Sequence, residues 1–115
     1  MAVDCVFCRI AAGTIPADIL HQDDLIVAFR DIAPRAPTHI VLIARRHIVS
    51  AAELTEADGP LLGRLFAVAA ELARTAGIAE AGYRLVSNVG RWGGQSVDHL
   101  HVHLMGGRAF DWPPG

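Results

Sequence analysis

The sequence predicts an α+β domain built around an antiparallel sheet, and three observations carry that prediction. Several short apolar segments, β-branched or alternating, are separated by polar turns rather than by helices. One segment alone, from roughly Thr55 to Thr75, has a convincing helical period. The composition, 52% apolar and 19% charged over 115 residues, suits a single globular domain spanning 1–115. A chain of that size buries roughly 65% of the surface it exposes unfolded, enough for a real core.

The elements follow in order. "CVFCRIAAG" (5–13) sets Val6, Phe7 and Ile10 at helical spacing before Gly13, which suits a helix stop, so a short N-terminal helix is expected. "DILHQDDLIVAFRD" (18–31) reads as two short strands about the turn Gln22-Asp23-Asp24. "APRAPTH" (33–39) holds two prolines and reads as a loop. "HIVLIAR" (39–45) is apolar and β-branched, as a central strand would be. In the major helix Leu61, Leu62, Leu65, Ala69, Leu72 and Ala73 share a face. Arg64, Glu71 and Arg74 lie elsewhere, Thr55 with Asp58 resembles a capping box, and Gly77 suits the left-handed position past the end. "YRLVSNV" (83–89) is a further strand, Gly90 to Gly94 a glycine-rich loop, and "WPPG" a tail that cannot continue regular structure.

Composition also excludes function classes. A net charge of −2 gives no global basic field, so neither nucleic acid nor anionic lipid is an expected partner. The longest apolar runs, "IVLIA" (40–44) and "LFAVAA" (65–70), fall far short of the ~20 residues of a membrane helix. "MAVDCVFCRI" carries Asp4 early and does not read as a signal peptide. Cys5 and Cys8 make no disulfide framework, and the cytoplasm is the default compartment.

The chemistry concentrates in "GGQSVDHLHVHLMGG" (93–107). On a strand, Val97, His99, His101, His103 and Met105 share one face, while Leu100, Val102 and Leu104 face the core. Packed or surface histidines, a catalytic metal site using a His-x-His pair, and an imidazole nucleophile acting on phosphorus all compete for this pattern. The preceding "GRWGGQS" favours the third. Its glycines allow close backbone approach, successive N–H groups in such a turn can cradle an anion, and Ser96 adds a hydroxyl. No Asp-rich magnesium site or Walker loop is visible, which fits a metal-free phosphoryl centre needing no catalytic cofactor.

"HLHVHLM" resembles the His-φ-His-φ-His-φ-φ signature of the histidine triad (HIT) family of nucleotide hydrolases and transferases. "FRDIAPRAPTHIVLIARRHI", "GYRLVSNVG", "GGQSVDHLHVHLMGGR" and "WPPG" extend the likeness from Cys5 onward, toward the histidine triad nucleotide-binding (Hint) branch. The resemblance implies a HIT-like protomer with a five-stranded antiparallel sheet, paired into a homodimer with a ten-stranded one. It implies hydrolysis of purine nucleoside phosphoramidates, such as AMP joined to an amine, through a nucleotidyl-histidine intermediate. His101 matches the nucleophile, His39 the supporting fourth histidine, and His103 and Ser96 residues beside the phosphate and leaving group. Asn88, Gln95 and loop amides such as that of Gly94 match phosphate contacts, and Asp31 the carboxylate that binds the ribose. Val6, Phe7, Ile10, Phe29, Ile32 and Val41 match the apolar base pocket, although each singly fits ordinary core and Asp31 equally fits a turn.

The Cys-x-x-Cys pair by itself leaves zinc, redox and free-thiol readings open, a thioredoxin-like role lacking its βαβ context. Similar bacterial histidine triad proteins bind a structural zinc, which through that likeness gives Cys5, Cys8, His47 and His99 as ligands and leaves His101 and His103 free. His21 and the Arg45-Arg46 pair read as solvated side chains. Asp98, Arg30, Arg91 and Trp92 depart from the family pattern. Asp98 falls on the face opposite the imidazoles, where burial would demand a partner. A dinucleoside polyphosphate hydrolase or phosphorylase, a purine-nucleotide-binding scaffold with weak turnover and a metal-dependent hydrolase are the rival functions.

Overall fold

The computed structural model describes residues 5–115; Asp4 and its predecessors lie outside them. A five-stranded antiparallel sheet runs in the order β1-β2-β3-β5-β4, with β1 Ile19–Gln22, β2 Ile26–Arg30, β3 Thr38–Ala44, β4 Arg84–Val86 and β5 His101–Gly106. The two strands read in 18–31 form on either side of the Asp23 turn, whose carboxylate accepts from the Leu25 and Ile26 amides at 2.8 and 2.9 Å. β3 is central and buried on both faces, as its unbroken apolar run requires.

Two helices sandwich this sheet. α2, Gly59–Thr75, lays Leu61, Leu65, Val68, Ala69 and Ala73 on Ile26, Ala28, Ile40 and Leu42 from the sheet centre and on Leu100, Val102 and Leu104 near its other side. Leu65 is fully enclosed, so Leu65→Ala costs about 2–5 kcal/mol. Val68 belongs to the buried face, whereas Leu62 and Leu72 sit at its margin. The Thr55–Asp58 capping box is real, but it caps a 3-10 turn, Glu56–Asp58, that leads into α2. On the opposite face Val27, Phe29, Val41 and Ile43 are covered by Phe7, Ile10 and Ala11 of α1, Val6–Ala12, and by Ala17. Both helices end on a glycine in the left-handed region, Gly13 and Gly77.

Several expectations are corrected. β4 runs only from Arg84 to Val86, so the strand read over 83–89 is less than half its expected length. The histidine alternation begins before its strand: the chain bends over Val97–His99, and β5 starts only at His101. Asp98 is exposed and needs no partner. Arg45 is half-buried rather than solvated, because its guanidinium clamps the Asp23 and Ala11 carbonyls and Gln22. His21 likewise has a partner, the Asp23 carboxylate at 2.7 Å. Among the described residues no helix is long and apolar enough to cross a membrane.

Candidate active site

The sheet face under α1 holds the chemistry. β5 turns the His101 and His103 side chains toward this face while Val102 and Leu104 pack under α2. β3 pairs with β5, placing Val41 opposite His103 and His39 opposite Met105, and that register lets the His39 and His103 rings meet. The face is roofed rather than open: His99 is fully buried, and His101 lies under the edge of the Phe7 ring with centroids 5.1 Å apart.

Hydrogen bonds fix which nitrogen carries each proton. His101 Nδ1 lies 2.6 Å from the His99 carbonyl, an acceptor only, so Nδ1–H donates and Nε2 is the nitrogen left outside that bond. The Arg35 amide donates to His39 Nδ1 at 3.0 Å, which puts the His39 proton on Nε2. That N–H faces His103 Nδ1 at 2.9 Å, leaving His103 Nε2–H as a donor, and Asp31 Oδ2 lies 3.3 Å from the same His39 nitrogen. Burial, helped by the neighbouring His101 and His39, pushes the His103 pKa down to about 4. Burial also lowers the His39 pKa, against the pull of Asp31. The pair is neutral at pH 7, and its two rings share one directional hydrogen bond.

Beside these rings lies a cavity of about 350 Å³, within the size range of small-molecule sites. His101, His103, Ser96 and Asp31 line its polar side. Val6, Phe7, Ile10, Phe29, Ile32 and Val41 line its apolar side, with Ile32 almost wholly exposed at the rim. All ten are residues singled out in the sequence. Val97, which the sequence put on the histidine face, completes the lining with Ile15, Pro16 and Ala17, which were missed; the apolar "IPA" between a helix stop and a strand was the available signal. Asp31 combines both of its sequence readings, since Oδ1 caps the turn at the Ala33 amide while the residue faces the cavity.

The glycine loop differs from an open anion cradle. The amides of Gly93, Gly94 and Gln95 bond to carbonyls of Gly90 and Arg91, and the Gly90 amide to the Gln95 side chain. A Cβ on Gly93 would collide with the Val89 carbonyl, so glycine is needed there for closure of the loop on itself. Gly94, Asn88 and Gln95 are not among the residues lining the cavity. Asn88 donates to the Gly93 carbonyl, and Gln95 donates to Val49 and Val97, so both brace the loop that carries Ser96. Arg30 pairs with Asp18 on the surface, and Trp92 is 95% exposed. Ser87, which the sequence did not mark, donates to the His101 carbonyl at 2.9 Å.

A second cluster adjoins the first. The ligand atoms of Cys5, Cys8, His47 and His99 all lie within 4.8 Å of one another. Cys5 Sγ and Cys8 Sγ approach His99 Nδ1 at 3.3 and 3.5 Å, and Cys8 Sγ approaches His47 Nδ1 at 3.2 Å. His99 Nε2 donates to the Ala44 carbonyl at 2.6 Å, which leaves the Nδ1 lone pair aimed at the sulfurs. Two thiols, two imidazoles and this backing acceptor fit a tetrahedral Cys2His2 zinc site. Burial and the adjoining Cys5 push the Cys8 thiol up to about 11, so a cation is what would make it a thiolate.

The HIT domain family model matches residues 12–110. The purine nucleoside phosphoramidase of Escherichia coli K12 is 49% identical over 108 residues, covering 94% of this chain and 91% of that protein. The crystal structure of a HIT family hydrolase from Legionella pneumophila superposes with a TM-score of 0.95 at 48% identity, over 97% of this chain and all of that one. A histidine triad nucleotide-binding protein from Candida albicans superposes at 0.82 with 29% identity, over 96% of this chain and 83% of its own. The sheet order, the triad geometry and these likenesses agree: the chain belongs to the HIT domain family.

Proposed function

We propose that this protein hydrolyses purine nucleoside phosphoramidates to the nucleoside monophosphate and an amine, as a member of the nucleotide-binding branch of its family. The observation that carries this reading is the His101 ring, held at Nδ1 by the His99 carbonyl so that Nε2 is the nitrogen left to act as nucleophile in a residue lining the cavity. The name of the Escherichia coli relative supports the same chemistry.

In this reading the purine lies among Val6, Phe7, Ile10, Phe29, Ile32 and Val41, with the ribose toward Asp31. Nε2 of His101 bonds to the α-phosphorus as the P–N bond breaks, and the amine nitrogen leaves with that electron pair. Hydrolysis of the nucleotidyl-histidine then consumes one water, whose proton balances the amine and whose hydroxyl ends on phosphorus. His103 Nε2–H, held as a donor by His39, and the Ser96 hydroxyl stabilise the phosphoryl oxygens. Asn88, Gln95 and Gly94 act by shaping the loop before Ser96. No metal enters these steps; zinc at Cys5, Cys8, His47 and His99 ties α1 to the sheet. β4 forms one sheet edge, and pairing it with the same edge of a second copy would give a homodimer with a ten-stranded sheet. Two cysteines serving as zinc thiolates suit the reducing cytoplasm.

The test is turnover of an adenosine 5′-phosphoramidate with free metal chelated too weakly to strip a Cys2His2 site, alongside His101→Ala. The expected result is metal-independent turnover that falls at least about 10³-fold in the variant while AMP binding persists. A folded, AMP-binding wild type that leaves the phosphoramidate intact overturns the reading. Cleavage of diadenosine tetraphosphate in its place would assign the polyphosphate chemistry that shares this nucleophile.

A further inference from the structure

Much of the apolar side of the cavity comes from Val6, Phe7 and Ile10, yet α1, which carries them, has seven residues and none fully buried. So short a helix has no stability of its own in water. Its C-terminal end is tied down by Arg45 Nη1 on the Ala11 carbonyl at 2.8 Å. Its N-terminal end is tied by Cys5 and Cys8 to His99 and His47. His99 is also the residue whose carbonyl orients His101, so the sulfur–imidazole cluster touches both the wall of the cavity and the mounting of the nucleophile. A neighbouring hollow of about 480 Å³, lined by Cys5, His47 and Asp98 and sharing Val6, Ser96 and Val97 with the cavity, gives small solutes a way to the cluster.

We propose that the Cys5–Cys8 pair is a thiol-redox switch on nucleotide binding: with both sulfurs bound to metal α1 is held and the cavity is complete, and their oxidation to a disulfide releases α1 and dismantles the cavity wall. The oxidant is a peroxide. Each thiolate sulfur loses one electron as the S–S bond forms, the O–O bond takes both, and with two protons it leaves as two waters while the metal departs as a divalent cation. The His99 and His47 nitrogens then face no thiolate or metal, and the N-terminal tie of α1 is gone. This rests on the cavity being the nucleotide site.

The experiment measures AMP affinity by calorimetry on zinc-loaded protein, after hydrogen peroxide, and again after dithiothreitol and zinc. Oxidation is expected to release zinc, lower the mass by two hydrogens and weaken AMP binding at least about tenfold, equivalent to 1.4 kcal/mol, with recovery on reduction. Phe7→Ala, loaded with zinc, should bind AMP weakly from the start and change by less than about twofold on oxidation, because the wall it loses is the same one. Unchanged AMP affinity in a protein carrying the disulfide, absence of an intrachain disulfide, or loss of the far-UV signal of the sheet each overturns the switch. Switching affinity without phosphoramidate turnover removes the hydrolase reading alone; turnover with oxidation-blind affinity removes the switch alone.

Discussion

Two histidine clusters lie side by side under α1, and what distinguishes them is the atom behind each ring. His99 rests its Nε2 on a carbonyl, that of Ala44, so the nitrogen facing the cysteines offers a lone pair. His39 rests its Nδ1 on an amide, that of Arg35, so the nitrogen facing His103 and Asp31 carries a proton. The ligand atoms of Asp31, His39 and His103 also gather within 4.8 Å, as they do at many metal centres. A cation there would have to displace the His39 proton onto Nδ1, against the Arg35 N–H. A backbone acceptor leaves a ring nitrogen able to take a metal, a backbone donor leaves it a hydrogen-bond donor, and residue type alone separates the two poorly.

The largest way to break this contrast is His39→Ala. Without its N–H the His103 proton is no longer confined to Nε2, and the donor that the proposed mechanism assigns to the phosphoryl group is lost part of the time. A fall of about 10²-fold in kcat is expected, with AMP affinity little changed. A fall confined to KM would instead make His39 a binding residue. Zinc titration sharpens the other half: one equivalent should bind tightly, and a modest excess should leave hydrolysis unaffected. Stripping that equivalent should then lower the melting temperature by roughly 10 °C, as expected when a ligand held at about 100 times its Kd is withdrawn. A second tight equivalent that inhibits turnover would place metal on Asp31, His39 and His103 and erase the distinction.

Acid should weaken the fold through the relay. His39 and His103 are held below the usual histidine value of 6.5, His103 at about 4. The unfolded chain therefore binds more protons than the folded one between those values, and stability must fall as pH drops from about 6.5 toward 4. Asp23 acts in a lower window. Burial opposes its ionisation, but hydrogen bonds from His21, the Leu25 and Ile26 amides and Arg64 more than offset this and hold it well below 3.8. Its contribution is present above that value and disappears only at stronger acid. Thermal melts across pH 3–7 should show the histidine loss first, and His103→Asn should flatten it.

Much of this was legible because it depended on local pattern. The apolar run of β3, the strands about Asp23, the α2 period and the alternation of His101 and His103 each need only a few neighbouring residues. What escaped depended on distant backbone groups. Nothing in "VDHLHVH" announces that the chain bends at His99, because the bend is stabilised by bonds such as that from the Leu100 amide to the Ile48 carbonyl. Nor does "GRWGG" reveal that its amides are spent within the loop. The metal-ligand set came with the family likeness, since Cys-x-x-Cys alone left three chemistries open. The partners of Arg45, the Asp23 and Ala11 carbonyls, were hidden for the same reason, whereas that of His21 is the Asp23 side chain two residues on, within the marked turn.

Ser87 is the smallest and most specific test of how the two clusters share one backbone. The β4–β5 ladder ends at the Val86–His103 pair, and just beyond it the Ser87 hydroxyl takes the His101 carbonyl. Two peptides earlier, the His99 carbonyl accepts from the His101 imidazole. His101 is thus fixed at its ring by the residue that also faces the sulfurs, and at its main chain by Ser87. Ser87→Ala should cost about 1 kcal/mol of stability, the worth of one such bond. If the ring bond dominates, kcat falls less than about threefold, while Ser87→Thr, which can restore the hydroxyl, returns the stability. A loss in kcat much larger than the loss in stability would mean that the β4 side, and not the His99 side, sets the aim of His101.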